Sequence, residues 1–134
     1  MSEQGERPGH GAFALRDFLG MDLEHGDSGR CTARLEAGDA HRNPHGTVHG
    51  AVLFAMVDTA MGGATMSVLD EGLLCASIDV HLRFLKPVFG GTLEADAEVV
   101  RAGKRVVHLE ARVRDGDGEA VAMGTGAFAV LGAG

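Results

Sequence analysis

Between residues 50 and 69 the apolar side chains recur at helical spacing, with Leu53, Met56, Val57, Ala60, Met61 and Ala64 on one stripe. The pattern predicts one long helix with that side buried. Asp58 is the single charged residue of the run. Downstream the period changes to two. Ile78, Val80, Leu82 and Phe84 alternate with Ser77, Asp79, His81 and Arg83, which predicts a strand with the first set facing one way and the second the other. Leu93, Ala95, Ala97 and Val99 alternate with Glu94, Asp96 and Glu98 in the same manner. So do Val107, Leu109, Ala111 and Val113 with His108, Glu110, Arg112 and Arg114. A last strand is expected over 120–131, where Ala122, Gly124 and Gly126 leave room for another backbone to pass close.

Upstream of the helix the signals are shorter. A brief helix is predicted over 12–19, stopped by Gly20, then a strand over 21–24 and a half-buried one over 29–36. Pro87 and Gly90-Gly91 end the first strand after the helix, 101–104 reads as a turn, and Asp115-Gly-Asp-Gly118 is a strong hairpin signal. Short links between long alternating strands imply an antiparallel sheet, because parallel neighbours need long crossovers. One long helix against such a sheet is an α+β layout, a curled antiparallel sheet packed on a central helix.

Composition narrows the picture. A chain of 134 residues suits one domain, expected over 11–134 behind a loose tail at 1–10. Its two cysteines, Cys31 and Cys75, have neither metal nor redox spacing, as in a reduced cytoplasmic protein. The N-terminus lacks the basic-then-apolar order of a signal peptide. Residues 48–69 are apolar enough to suggest a membrane span, but Asp58 near the centre and the missing basic flanks argue against one. The formal net charge of −7 argues against nucleic acid as a partner, while leaving room for a compact anionic ligand held by a local basic cluster.

Candidate chemistry gathers around the long helix. A mid-helix carboxylate among Phe54, Met56, Val57 and Met61 is costly to bury unpaired, so Asp58 stands out as a base or nucleophile. Thr47 is expected to cap the helix, putting Val48, His49 and Gly50 in a first turn whose amides lack intrahelical partners. Gly50 has no side chain to shield its amide, and Asn43, fixed by Pro44, adds a neutral donor and acceptor beside it. The set forms a cradle for a polarised carbonyl. Taken singly, Gly50 also fits close helix packing and Asn43 an ordinary turn. His41, His45 and His49 stand at four-residue intervals, but Pro44 and Gly46 interrupt any continuous helix, so no metal site is expected.

Asn43-Pro44, Gly46, His49-Gly50 and, eight residues on, Asp58 resemble the motif of hotdog-fold acyl-CoA thioesterases of the phenylacetate-degradation, PaaI-like family. The stretch 77–87 and the closing hairpin are similar to that family too, so the resemblance covers nearly the whole chain. The resemblance implies a hotdog fold, an antiparallel β-sheet wrapped around a long central helix, with homodimers as the basic unit. It leaves open whether dimers pair into tetramers. It also implies hydrolysis of an acyl-CoA to the free acid and coenzyme A without a metal or other cofactor. Gly50, Asn43 and Asp58 then become catalytic, and Ser77 matches the family's strand hydroxyl that orients water, although an exposed strand serine is an equal alternative. His49 is kept as a substrate-binding residue. Ala51 stands where the family usually has a second glycine, so its methyl narrows the space around the acyl chain. The basic residues Arg83, Lys86, Arg101, Lys104 and Arg105 more often make solvated surface than a site, and with a coenzyme A ligand some of them would suit its phosphates. Two other functions stay open: a hydroxyacyl-thioester dehydratase pairing His49 with Asp58, and a non-catalytic acyl-CoA sensor.

Overall fold

The computed structural model describes residues 13–132, so the expected tail at 1–10 lies outside the described residues. In chain order the elements are α1 (Ala14–Leu19), β1 (Met21–His25), β2 (Arg30–Ala37), one 3-10 turn (Asp39–His41), α2 (Gly50–Met66), β3 (Leu74–Phe84), β4 (Gly91–Ala102), β5 (Val106–Arg114) and β6 (Ala120–Leu131). The six strands form one sheet in the order β1-β2-β4-β5-β6-β3, each neighbour antiparallel to the next. The element boundaries agree with the sequence reading to within a few residues.

Packing follows the apolar stripe. Leu53, Met56, Val57, Ala60, Met61 and Ala64 of α2 are all buried, against Leu35 of β2, Leu93 and Ala95 of β4, and Val107, Leu109 and Val113 of β5. Each buried leucine, methionine or valine among these contributes about 1.5–3 kcal/mol by leaving water, and each alanine less. That outweighs the roughly 1 kcal/mol lost at each of Gly62 and Gly63 inside the helix. Gly63 has its own use: a Cβ there would lie 2.6 Å from Cys31 Sγ, so the helix can close onto β2 only without one. On β6, a Cβ at Gly126 would lie 2.6 Å from Met61 Sδ, and one at Gly124 would strike the His81 carbonyl oxygen of β3. The small residues of β6 thus admit both the helix and a second backbone, as their spacing predicts.

Strict alternation fails in β3. The register runs Ser77 opposite Phe128, then Asp79 opposite Ala127 and Val80 opposite Gly126, so Ile78 is an extra, bulged residue. Phe128 and Gly126 both face α2. Ser77 therefore shares the helix-facing side with Val80, Leu82 and Phe84, instead of pointing away with Asp79, His81 and Arg83. The bulge also exposes Ile78, at 56%. Among the described residues, no helix is long and apolar enough to cross a membrane.

Candidate active site

Asp58 lies mid-way along α2, partly buried, with its Oδ1 buried and lacking a hydrogen-bond partner. Burial raises its carboxyl pKa above the ordinary aspartate value, and the Ser77 hydroxyl beside it pulls the pKa part of the way back. The β3 bulge is what turns Ser77 toward that carboxylate. Cys75, two residues earlier on the same side of the strand, is also close: its thiol pKa is raised by burial first and by the Asp58 charge second. The sequence reading passed over Cys75, although its parity with Ser77 along β3 was the available signal.

The start of α2 is built by the loop before it. Asn43 Oδ1 accepts from the amides of His45 (2.9 Å) and Thr47 (3.2 Å), and its Nδ2 donates to Thr47 Oγ1 (2.8 Å). The Asn43 amide donates to the Thr47 carbonyl at 2.7 Å, and Gly46, at φ +91°, closes the turn. The loop is pinned at its far end by the Val48 amide on the Val88 carbonyl (2.7 Å) and the His49 amide on the His41 carbonyl (2.8 Å). The helix cap is His49, not Thr47 as expected. Thr47 is held by Asn43, whereas His49 Nδ1 accepts from the Ala51 amide at 2.9 Å and the His49 carbonyl from the Val52 amide at 2.9 Å. An accepting Nδ1 places the proton of neutral His49 on Nε2. Ala51 and Val52 are satisfied, and the Gly50 amide is left without a partner among the described residues at the positive end of the helix dipole.

Within one chain the two halves stay apart. Gly50 and Asp58 are eight residues apart on α2, about 12 Å along its axis, beyond the reach of an aspartate side chain. Helix and edge strand run in opposite senses: Gly50 lies beside Phe84 at the end of β3, and Asp58 beside Ser77 near its beginning. The basic residues divide likewise. Arg83 lies near the Phe84 end, whereas Arg101 stands at the end of β4 and Lys104 and Arg105 in the β4–β5 turn, which meets β6 at Val130, opposite Cys75. Lys86 is engaged by Asp115 and Glu119. His41 Nδ1 accepts from the Gly38 amide, and its Nε2 lies 2.8 Å from the Leu19 carbonyl oxygen. No group of three histidine, cysteine or acidic side chains converges on a possible metal position among the described residues. An open depression of about 1300 Å³ has Phe54, Leu82 and Phe84 on its apolar side and charged side chains such as Arg30, Asp96, Glu110 and Arg112 over the rest of its wall, and none of Asn43, Gly50, Asp58 or Ser77 lines it.

A six-stranded antiparallel sheet curled over one long helix is the hotdog fold, as in a thioesterase from Haemophilus influenzae whose structure covers 90% of this chain at a TM-score of 0.85. Residues 45–122 match the Thioesterase superfamily. The chain belongs to that family, in its PaaI-like branch, and is a thioester hydrolase. A Halobacterium salinarum protein is 35% identical over 128 residues, spanning 87% of this chain and 84% of its own. The acyl-coenzyme A thioesterase PaaI of Escherichia coli is 31% identical over 109 residues, 78% of this chain and 76% of its own. The structure of a conserved protein from Pseudomonas aeruginosa, 32% identical, superposes with a TM-score of 0.85 over 90% of this chain and 95% of that one.

Proposed function

We propose that the protein hydrolyses an acyl-CoA to the free carboxylic acid and coenzyme A, at sites shared between two copies of the chain. The observation that carries this is a desolvated carboxylate with one unpartnered oxygen, facing a serine hydroxyl, on a helix whose Gly50 amide is also unpartnered. The Gly50 amide N–H donates a hydrogen bond to the thioester carbonyl oxygen, which accepts it, and stabilises the negative charge that develops there. Asp58, ionised, either takes the proton of an attacking water held by Ser77 or attacks the carbonyl carbon itself. In the first route the C–S bond breaks as water adds and Asp58 passes the proton to the departing thiolate. In the second, coenzyme A leaves as a thiolate that takes its proton from solvent, and water then hydrolyses the acyl-aspartyl anhydride to the free acid and regenerated Asp58. Asn43 holds the loop that presents His49 and Gly50, with one Nδ2 hydrogen still available to the acyl end. No metal or redox group takes part.

The 12 Å gap is bridged by a partner. β3 is eleven residues long and lies at the sheet edge, where a second β3 can pair with it. Antiparallel pairing sets the Gly50 and Phe84 end of one protomer against the Asp58 and Ser77 end of the other. It also brings the partner's Arg101, Lys104 and Arg105 toward Arg83, a basic cluster suited to the coenzyme A phosphates. A dehydratase built on His49 and Asp58 would need His49 as a base, whereas with Nδ1 accepting from the Ala51 amide the neutral ring carries its proton on Nε2 and can there only donate.

The experiment is thiol release from short, medium, long and aromatic acyl-CoAs in the presence of a chelator. Activity is expected on part of the panel, and Asp58→Asn should lower kcat by roughly a hundredfold or more with KM little changed. Tight binding without thiol release would indicate a sensor, loss of activity on chelation would indicate a metal, and a fully active Asp58→Asn would remove Asp58 from the mechanism.

A further inference from the structure

The geometry points to Phe84 and Phe54 as the specificity-determining wall for the acyl group, favouring bulky apolar acyl chains over acetyl. This rests on the reading of Gly50 as the carbonyl-binding amide. The chain has six phenylalanines, and of these Phe128 alone is buried in the core. Phe84 occupies a helix-facing position of β3, opposite buried Ala122, yet is 52% exposed within one chain, where the sheet ends beside it.

That ring is aimed at one residue. A Cβ built on Gly50 would lie 3.0 Å from Phe84 Cζ, 3.3 Å from Cε1 and 3.6 Å from Cε2. Gly50 therefore serves two ends, an open amide and space for the edge of an aromatic ring. Phe54, one helical turn beyond Gly50 and 40% exposed, borders the same open depression as Phe84. A carbonyl held at the Gly50 amide has two substituents, the acyl chain and the sulfur of the pantetheine arm. The arm carries amide groups that need hydrogen-bond partners, and two phenyl rings offer none, so the substituent against them is the acyl chain. Ring against apolar chain or ring against ring is a favourable contact that acetyl is too small to make.

The test compares kcat/KM for acetyl-, octanoyl- and phenylacetyl-CoA in the parent, Phe84→Ala, Phe84→Leu and Phe54→Ala, together with inhibition by free coenzyme A. The ratio of kcat/KM for the bulky substrates to that for acetyl-CoA should fall by about ten- to a hundredfold in both alanine variants. Phe84→Leu should recover part of it, and the inhibition constant of coenzyme A should not move. A uniform loss on all three substrates with weaker coenzyme A inhibition would place the pantetheine arm on the rings and overturn the inference. An altered sedimentation mass in either alanine variant would assign the rings to a subunit contact and overturn it as well. A parent that releases thiol from none of the three would instead defeat the thioesterase reading on which the inference stands.

Discussion

Asp58 sits where ionisation is disfavoured by burial, and the sign of that effect is measurable. Its carboxyl titrates higher in the folded chain than the 3.8 of a free aspartate, so between those values the folded state holds more protons than the unfolded one. Stability on this account is full below the unfolded value and falls as pH rises from there through the folded pKa. Asp58→Asn removes the charge at nearly constant size, so its melting temperature should exceed the parent's at pH 7, with the difference shrinking as pH falls toward 4. Thermal denaturation across that range checks it. The catalytic counterpart runs the other way, because the proposed reaction needs the ionised form: the acid limb of kcat/KM should lie above the ordinary aspartate range. Ser77→Ala deletes the group that pulls the pKa down, so the limb should move further up, with a smaller loss of kcat than in Asp58→Asn. Asp58 was legible as one charge in an apolar run. The partnership with Ser77 came only from the family resemblance, because plain alternation puts that serine on the wrong side of its strand.

Helix α2 and strands β4, β5 and β6 were readable because each buries one side and exposes the other, so burial imposes a period on the residues. β3 departs from this for a local reason. Its bulge is set by packing across the sheet, with Phe128 and Gly126 fixing the positions on either side of it, and neither glycine nor proline in β3 announces it. The cap was misplaced for a similar reason. Thr47 has the right chemistry for an N-cap, but Asn43 three-fold bonds it into the preceding turn and a histidine takes the role two residues later. His49→Ala should leave the Ala51 amide unsatisfied and lower stability by about 1 kcal/mol in chemical denaturation. His49→Asn, which keeps an acceptor, should restore most of it.

At the scale of the molecule, the proposed pairing of β3 edges makes a direct prediction about mixtures. Asn43→Ala and Asp58→Asn chains, each nearly inactive as homodimers, are co-refolded in equal amounts. A mixed dimer then carries one site with both defects and one with neither. With random pairing about half the dimers are mixed, so roughly a quarter of parental activity should return. Verified mixed dimers that recover nothing would confine the site to one chain. The hotdog layout was legible from helix length, strand period and motif spacing together, whereas a partner leaves no periodic trace in a sequence. The long edge strand has one more consequence. Under the proposed pairing half of each site lies on either chain, and a newly made protomer would have no turnover of its own. Specific activity should therefore climb with enzyme concentration and level off only once monomers are exhausted, so that the amount of protein made sets a threshold for thioester hydrolysis as well as its rate.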